Sequence, residues 1–133
     1  MHRVLVCDNA AIVQFVLQRY LKNDDCEVGY AKTPRDLVRI IDSYKPDVLF
    51  LEAEISEGKG RYLCEFLSRR PSTKDIPIIL STRLSETTTT TFNMESWPGV
   101  VVLIRKPLLG GKVKKAIHDA LKGKGLSKAR EAV

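Results

Sequence analysis

The sequence predicts an α/β fold in which helices are wound on both sides of a five-stranded parallel sheet. Four short runs are apolar without alternation, and helix-like patterns separate them along the chain. Unbroken apolar runs are typical of strands that are covered on both faces. These runs span residues 3–7, 47–51, 76–80 and 100–104. A more mixed segment, 26–31, predicts a strand at the edge of the sheet.

Four segments between the runs carry apolar residues at helical spacing. Asn9 is a candidate cap of the first, and Thr33-Pro34 with Asp36 is a typical start for the second. Gly123 follows the last helix as a stop signal. The predicted inward-facing residues are Ile12, Val13, Val16, Leu17, Tyr20 and Leu21; Leu37, Val38, Ile40 and Ile41; Tyr62, Leu63, Phe66 and Leu67; and Val113, Ala116, Ile117, Ala120 and Leu121.

The remaining helix is predicted to be short and irregular. Ser85-Glu86 opens it, and five threonines, Thr87 to Thr91, follow directly. A β-branched threonine loses rotamer freedom in a helix, and its hydroxyl competes for backbone hydrogen bonds. This segment is therefore either a poorly ordered connector or a polar binding surface.

Length and composition fit one globular domain, which we place at residues 1–123, followed by a basic tail at 124–133. No apolar stretch is long enough for a membrane span. The three cysteines lie far apart and without metal-ligand spacing, which predicts reduced thiols and a cytoplasmic protein. No Ser-His-Asp or Cys-His pattern is evident, so we do not expect an enzyme.

Basic charge is concentrated near the C-terminus. Nine of the 22 lysines and arginines lie from Arg105 onward, together with two of the 16 acidic residues. Such a segment could bind an acidic protein partner, nucleic acid or a membrane surface, or could simply be a solvated helix face. Lys112, Lys114 and Lys115 are the candidate partner-binding residues.

Polar residues follow the predicted strands at the edge of the sheet where binding sites of doubly wound folds lie. They form one predicted cluster from four strand ends. The members are Asp8 and Asn9; Glu52 and Glu54; Ser81, Thr82 and Arg83; and Arg105, Lys106 and Pro107.

These residues, in the blocks VLVCDNA, PDVLFLEAEISEGKG, DIPIILSTR and IRKP, resemble the receiver domain of two-component response regulators. The resemblance covers residues 3–122 and implies a (βα)5 architecture with the flavodoxin-like strand order 2-1-3-4-5. It also implies a cis peptide between Lys106 and Pro107. In the family, a kinase phosphohistidine gives its phosphoryl group to an aspartate, with Mg²⁺ bound beside it.

By this resemblance, each strand-end residue has a family role. Asp8 and Asn9 fall on the acidic metal-binding pair, and the backbone carbonyl of Glu54 falls on a third metal ligand. Glu52 falls on the phosphoacceptor. Thr82 falls on the switch hydroxyl and Lys106 on the lysine that pairs with phosphate.

Four positions depart from the family pattern. Asn9 replaces a metal-binding aspartate, which weakens the predicted Mg²⁺ site because Mg²⁺ sites depend on carboxylates. Glu52 replaces the acceptor aspartate, and its extra methylene moves the carboxylate by about 1.5 Å. Arg83 replaces a small residue, so we expect it to cover the pocket and pair with Glu52 or Glu54. Leu103 replaces the aromatic switch residue.

We therefore interpret the chain as a pseudo-receiver, a signalling module that is not phosphorylated in the usual way. Glu52 would form a fixed pair with Lys106 or would mimic the phosphorylated state. The expected partners are a histidine kinase or a downstream effector, no cofactor beyond weak Mg²⁺ is expected, and the chain would be a monomer or weak dimer. The alternatives are an ordinary Mg²⁺-dependent phosphorylatable regulator and, with less support, a nucleic-acid-binding protein.

Overall fold

The computed structural model describes residues 1–123 and contains one five-stranded parallel sheet in the order β2-β1-β3-β4-β5. This order confirms the predicted doubly wound fold. The strands are β1, His2–Cys7; β2, Cys26–Ala31; β3, Val48–Glu52; β4, Ile78–Thr82; and β5, Val100–Arg105. The predicted basic tail lies outside the described residues, so the boundary at residue 123 stays a prediction.

Six helices and one 3₁₀ turn connect the strands in the described part of the chain. They are α1, Ile12–Tyr20; α2, Pro34–Tyr44; the single turn α3, Ile55–Gly58; α4, Gly60–Ser68; α5, Glu86–Thr91; the 3₁₀ turn Met94–Ser96; and α6, Gly110–Leu121. Thr33 caps α2 as predicted, accepting the Asp36 amide at 3.1 Å. The threonine-rich α5 is short, with six residues, and the 3₁₀ turn follows it after two residues.

The start of α1 differs from the prediction. Asn9 does not cap the helix, which begins at Ile12 after Ala11 without a side-chain cap. Instead, the carboxylate of Asp8 accepts the amide of Ala10 at 2.8 Å, and the Asn9 amide donates to Glu52. The hydrogen bonds that shape this turn therefore belong to the strand-end site rather than to the helix.

Three predicted inward-facing residues are exposed: Ile12 is 63% exposed, Tyr62 is 68% exposed and Val38 is 38% exposed. Each is next in sequence to a residue that takes the inward position, namely Val13, Leu63 and Leu37. Neighbouring positions on a helix are about 100° apart, so a narrow apolar stripe leaves one of the two on the surface.

The sheet separates two hydrophobic layers, and alternate residues of each central strand enter opposite layers. We call these the α2/α4 face, which includes Leu5, Leu51 and Trp97, and the α1/α6 face, which includes Val6 and Phe50. Leu37, Ile41, Leu63 and Leu67 complete the first layer, and Val13, Leu17, Val113 and Ile117 complete the second. Among residues 1–123, no helix has both the length and the apolarity to span a bilayer.

The pairing of β4 with β5 contains a bulge near its start. Ile78 is opposite Val100 but Ile79 is opposite Val102, so β5 holds one extra residue. Val101 and Val102 both pack on the α1/α6 face, after which Leu103 packs on the α2/α4 face. The bulge therefore determines which face receives the last residues of this edge strand.

Candidate functional site

The carboxyl ends of β1, β3 and β5 bring three charged side chains together. The Lys106 Nζ atom lies 2.9 Å from Asp8 Oδ2 and 3.3 Å from Glu52 Oε1. The three side chains are 12%, 1% and 7% exposed, respectively. The Lys106 amide donates to the Thr82 carbonyl at 2.8 Å, and the Lys106–Pro107 peptide is cis, as expected. This buried triad joins two carboxylates to one ammonium group.

The other oxygen of each carboxylate in the triad also has a protein donor. Asp8 Oδ1 accepts the Ala10 amide at 2.8 Å, and Glu52 Oε2 accepts the Asn9 amide at 3.4 Å. All four carboxylate oxygens are therefore hydrogen-bonded inside the protein. Hydrogen bonds of this kind hold buried carboxylates fixed in position.

A divalent metal ion at the triad would compete with Lys106 for the carboxylate oxygens. Mg²⁺ takes oxygen ligands from one or two carboxylates and from water. Here the Lys106 ammonium group occupies one oxygen of each carboxylate, and the Asn9 side chain is exposed. Among the side chains that the structure describes, which leave out that of Glu57 and residues 124–133, no group of three or more His, Cys, Asp or Glu is arranged to hold a metal.

A second cluster joins the end of β3 to the end of β4. The Thr82 hydroxyl donates to Glu54 Oε2 at 2.7 Å, and the Arg83 amide donates to Glu54 Oε1 at 2.9 Å. The Leu84 amide in turn donates to Thr82 Oγ1 at 3.0 Å. The family resemblance assigned the backbone carbonyl of Glu54 to a metal, and the sequence predicted an ion pair with the Arg83 side chain. Neither predicted that the carboxylate accepts the Thr82 hydroxyl and the Arg83 amide. The signal was present, since an acid two residues beyond β3 can reach the hydroxyl of the neighbouring strand end.

Arg83 is placed differently from the prediction. Its side chain is exposed, and it meets Glu54 through its backbone amide rather than through its guanidinium group. No ion pair joins that guanidinium to Glu52 or Glu54. The chain turns after Thr82 so that the amide faces the site, and the side chain then extends into solvent. Arg83 therefore does not cover the pocket in this structure.

Near Leu103, the end of β5 contacts the threonine run of α5, which the sequence did not reveal. Leu103 packs on the α2/α4 face, and Arg105, two residues on, donates to the hydroxyl of the buried Thr89 in α5. Thr89 also donates to the Glu86 carbonyl at 3.0 Å. A polar contact therefore fastens α5 to β5 near the position where the family places an aromatic residue.

Two groups beside the triad have raised pKa values. Burial, followed by the charge of Asp8, raises the pKa of the Cys7 thiol to about 12. Burial and then Asp8 also raise the pKa of Tyr30, whose hydroxyl donates to the Asp8 carbonyl at 2.7 Å. Both groups are therefore neutral at physiological pH, and Cys7 has the character of a core residue rather than a nucleophile.

Two of the three predicted partner-binding lysines line the same groove, and the third does not. Lys112 and Lys115 line a shallow groove of about 340 Å³ along β5, beside Val102 and Leu103. Lys114 is half-buried and is not among the groove residues, because it lies about 200° around the helix from Lys112. Lys115 forms a surface ion pair with Asp119 at 2.9 Å. The predicted surface therefore contains two of the three lysines.

Comparison with known proteins adds a family match and several relatives. The model of the response regulator receiver domain matches residues 4–118. Protein-glutamate methylesterase/protein-glutamine glutaminase 2 of Rhodospirillum rubrum is 31% identical over 111 residues, which are 81% of this chain and 30% of that protein. Protein-glutamate methylesterase/protein-glutamine glutaminase 3 of Leptospira interrogans is 32% identical over 114 residues, which are 84% of this chain and 32% of that protein. The chain thus spans about a third of the length of these curated relatives.

Solved structures share the same fold at lower sequence identity. The chemotaxis response regulator CheY4 of Vibrio cholerae has a TM-score of 0.80 and 19% identity, covering 91% of this chain and 99% of that chain. The signal receiver domain of a histidine kinase from Syntrophus aciditrophicus has a TM-score of 0.79 and 23% identity, covering 92% of each chain. At these identities the likeness concerns the fold alone.

Proposed function

Because this chain belongs to the family of response regulator receiver domains, we propose that it is a pseudo-receiver: a protein-interaction module of two-component signalling that does not accept phosphate in the ordinary way. The esterase and glutaminase activities named for the curated relatives are not proposed for this chain, since the matched region is about a third of those proteins. The expectation of a monomer or weak dimer stays a prediction.

The observation that supports the proposal is the closed triad of Lys106, Asp8 and Glu52. The lysine that would pair with an incoming phosphoryl group is already bonded to two buried carboxylates. Breaking a buried pair costs about 3–5 kcal/mol because it leaves an uncompensated charge. A phosphoryl group would have to displace these contacts before it could use the lysine.

The position of the Glu52 carboxylate supports the same conclusion. Phosphoryl transfer depends on the alignment of the attacking oxygen, and a displacement of about 1 Å can cost about a hundredfold in rate. The extra methylene of glutamate displaces its carboxylate by about 1.5 Å relative to an aspartate. Glu52 instead supplies a permanent negative charge beside Lys106, so the charge of the site is fixed by the sequence rather than by a kinase.

Intact-mass measurement after incubation with acetyl phosphate and Mg²⁺ tests this proposal. We expect no phosphoryl adduct on the wild-type chain. The matched control is the double variant Asn9→Asp/Glu52→Asp, which restores both family carboxylates and is expected to gain one phosphoryl group. A stable adduct on Glu52 of the wild-type chain would contradict the proposal and favour an ordinary phosphorylatable regulator.

The groove along β5 and α6 is the proposed partner surface. Lys112 and Lys115 give it positive charge, and Val102 and Leu103 give it an apolar floor, so an acidic protein surface with apolar residues would fit it. Mass spectrometry can compare the proteins retained by immobilised wild-type and variant chains. Lys112→Glu/Lys115→Glu should lose the specific partner, whereas Lys114→Glu, outside the groove, should keep it. Equal loss in both variants would contradict this surface.

A further inference from the structure

We infer that the Glu54 carboxylate acts as an internal anion. It accepts the hydrogen bonds of the Thr82 hydroxyl and the Arg83 amide, which an incoming phosphoryl group or other oxyanion would otherwise receive. It thereby fixes the connection between β4 and α5. This inference deepens the proposed function, on which it rests, because it concerns the regulation of the same strand-end site. It assigns the carboxylate of Glu54 a role that differs from metal ligation by its carbonyl.

The hydrogen bonds account for both carboxylate oxygens of Glu54. One accepts the Thr82 hydroxyl at 2.7 Å, and the other accepts the Arg83 amide at 2.9 Å. A carboxylate bonded through both oxygens to adjacent donors resembles an oxyanion in shape and charge. The bond distances are those of strong charge-assisted hydrogen bonds, and Thr82 is fully buried.

The Thr82 hydroxyl has no further proton to donate. A hydroxyl has one proton to donate, and Thr82 gives it to Glu54 while accepting the Leu84 amide at 3.0 Å. A second anion could not receive that proton unless Glu54 moved away. It would also meet the negative charge of Glu54 within a few ångströms.

Glu52 cannot take over this role in the same arrangement. Its two oxygens are bonded to Lys106 and to the Asn9 amide. The two glutamates of the β3 end therefore divide the available donors, with Glu52 on the lysine and Glu54 on the hydroxyl. Each places a fixed charge on one of the two groups that the family resemblance assigns to phosphate binding.

The contact lies directly before the start of α5. Arg83 and Leu84 are held by Glu54 and Thr82, and Ser85 immediately after them caps α5 by accepting the Thr88 amide at 3.2 Å. A cavity of about 460 Å³ lies beside this connection, bordered by Glu54, Leu84, Phe92, Met94 and Trp97. Glu54 thus borders open space, and Arg61 is the other charged residue that lines it.

Hydrogen exchange measured residue by residue tests the tether. In Glu54→Ala we expect the Arg83 amide to exchange about tenfold faster or more than in the wild-type chain, since it loses a hydrogen bond to a charged group. Glu54→Gln keeps the shape and should give an intermediate rate. Glu65→Gln, which removes a surface carboxylate paired with Arg61, is the matched control and should leave Arg83 unchanged.

Titration with inorganic phosphate tests the claim that Glu54 takes the place of an anion. The chemical shift of the Arg83 amide should respond saturably in Glu54→Ala, with an affinity at least about tenfold higher than in the wild-type chain. An equal response in both proteins overturns the inference, as does unchanged exchange in Glu54→Ala. Faster exchange without any phosphate response keeps the tether but overturns the anion replacement.

The proposed function is tested separately, because it predicts the absence of a covalent adduct at Glu52 and makes no claim about exchange at Arg83. An adduct on wild-type Glu52 would contradict the pseudo-receiver while leaving the Glu54 contact in place. Conversely, unchanged exchange in Glu54→Ala would remove the internal anion while leaving the Lys106 triad intact. The unfolding midpoint of each variant shows whether the fold has been kept.

Discussion

Lys106 determines the charge balance of the strand-end site, because its ammonium group is bonded to both Asp8 and Glu52. The side chains of all three residues are nearly buried, so solvent screens their interaction only weakly. Two carboxylates held by one lysine leave a net negative charge at this position. The lysine is consequently a structural requirement of the site as well as a candidate for phosphate pairing.

Replacing Lys106 by methionine is predicted to destabilise the protein strongly. The substitution keeps the length of the side chain but leaves two buried carboxylates without a cation, which should cost about 3 kcal/mol or more. Urea denaturation at neutral pH measures the loss. Lys115→Met removes a surface pair with Asp119 and should cost no more than about 0.5 kcal/mol. Similar losses in the two variants would mean that the triad contributes little.

The cysteines should differ in reactivity in the folded state. Burial raises the pKa values of Cys7 and Cys64 to about 12, so at pH 8 both remain almost entirely protonated and unreactive. Cys26 is only half-buried, although its pKa is also raised, chiefly by burial. Alkylation at pH 8 followed by peptide mapping should label Cys26 first. Denaturant should make all three thiols react at similar rates, and early labelling of Cys7 would contradict this order.

At the scale of single residues, the sequence predicted that Asp8, Glu52 and Lys106 lie together, but not the partners of Glu54 and Arg83. Asp8, Glu52 and Lys106 could be placed together because parallel strands end at one edge of the sheet. The orientations of Glu54 and Arg83 could not be predicted, since they depend on how the peptide turns after Thr82. That turn is fixed by the hydrogen bonds of Thr82 and Arg83 to Glu54, which precedes them in the sequence by 28 and 29 positions, respectively.

The junction of β3 with α4 requires a residue without a side chain. A Cβ atom at Gly60 would lie 2.3 Å from the Ala53 carbonyl oxygen, a distance at which the backbone has to shift. Gly111 in α6 has nothing within 4 Å of such an atom. The two glycines lie near the N-terminal ends of two helices but in opposite steric environments.

Gly60→Ala is predicted to destabilise the protein by about 1–3 kcal/mol, because the added methyl group overpacks a buried backbone contact. Gly111→Ala should instead be neutral or stabilise it by up to about 1 kcal/mol, since alanine loses less conformational entropy in a helix. Thermal unfolding of both variants gives the comparison. Stabilisation by Gly60→Ala would show that α4 can move away from β3 at little cost.

Helix starts were predictable where the signal is local, and less so where distant residues decide. Thr33 caps α2 by accepting the amide of Asp36, three residues on. A local sequence pattern is enough to predict such a cap. Before α1, the Ala10 amide donates to Asp8, and the Asn9 amide donates to Glu52, which is 43 positions away in the sequence. The prediction that Asn9 caps the helix was therefore wrong. The weak helix propensity of consecutive threonines correctly predicted a short α5.

The whole molecule consists of two apolar layers that share the strands of a single sheet. Leu17 lies in the α1/α6 layer, whereas Trp97 lies in the α2/α4 layer on the opposite face. The strands supply alternate side chains to both layers. The two layers are therefore expected to unfold together, in a single cooperative transition.

Leu17→Ala should lower the stability reported by Trp97 even though the two residues lie on opposite faces. Removal of a fully buried leucine side chain costs about 2–5 kcal/mol, and in a two-state protein every probe reports the same loss. Tryptophan fluorescence and far-UV circular dichroism in urea should shift to the same lower midpoint. A fluorescence midpoint that stays at the wild-type value would show that the two layers unfold independently.

At this scale, periodicity and run length were sufficient to predict the fold class, because covered parallel strands leave unbroken apolar runs. The register of β4 with β5 was not predictable in the same way. Residues 100–102 are all valine, so nothing in the apolar pattern distinguishes the extra residue from its neighbours.

The extra valine is accommodated in the bulge, which sets the face on which each later residue of β5 lies. In extended chain, adding or removing one residue inverts the side on which every later side chain emerges. With the bulge present, Arg105 reaches Thr89 while Ile104 packs on the opposite face. Deleting the codon for Val101 would remove the bulge and still leave Val100 opposite Ile78 and Val102 opposite Ile79, so Ile104 and Arg105 would keep their faces. Regular pairing with all three valines retained would instead exchange the faces of Ile104 and Arg105 and direct the arginine into the apolar layer. The bulge thus absorbs one residue and preserves the orientation of the strand that leads to the site.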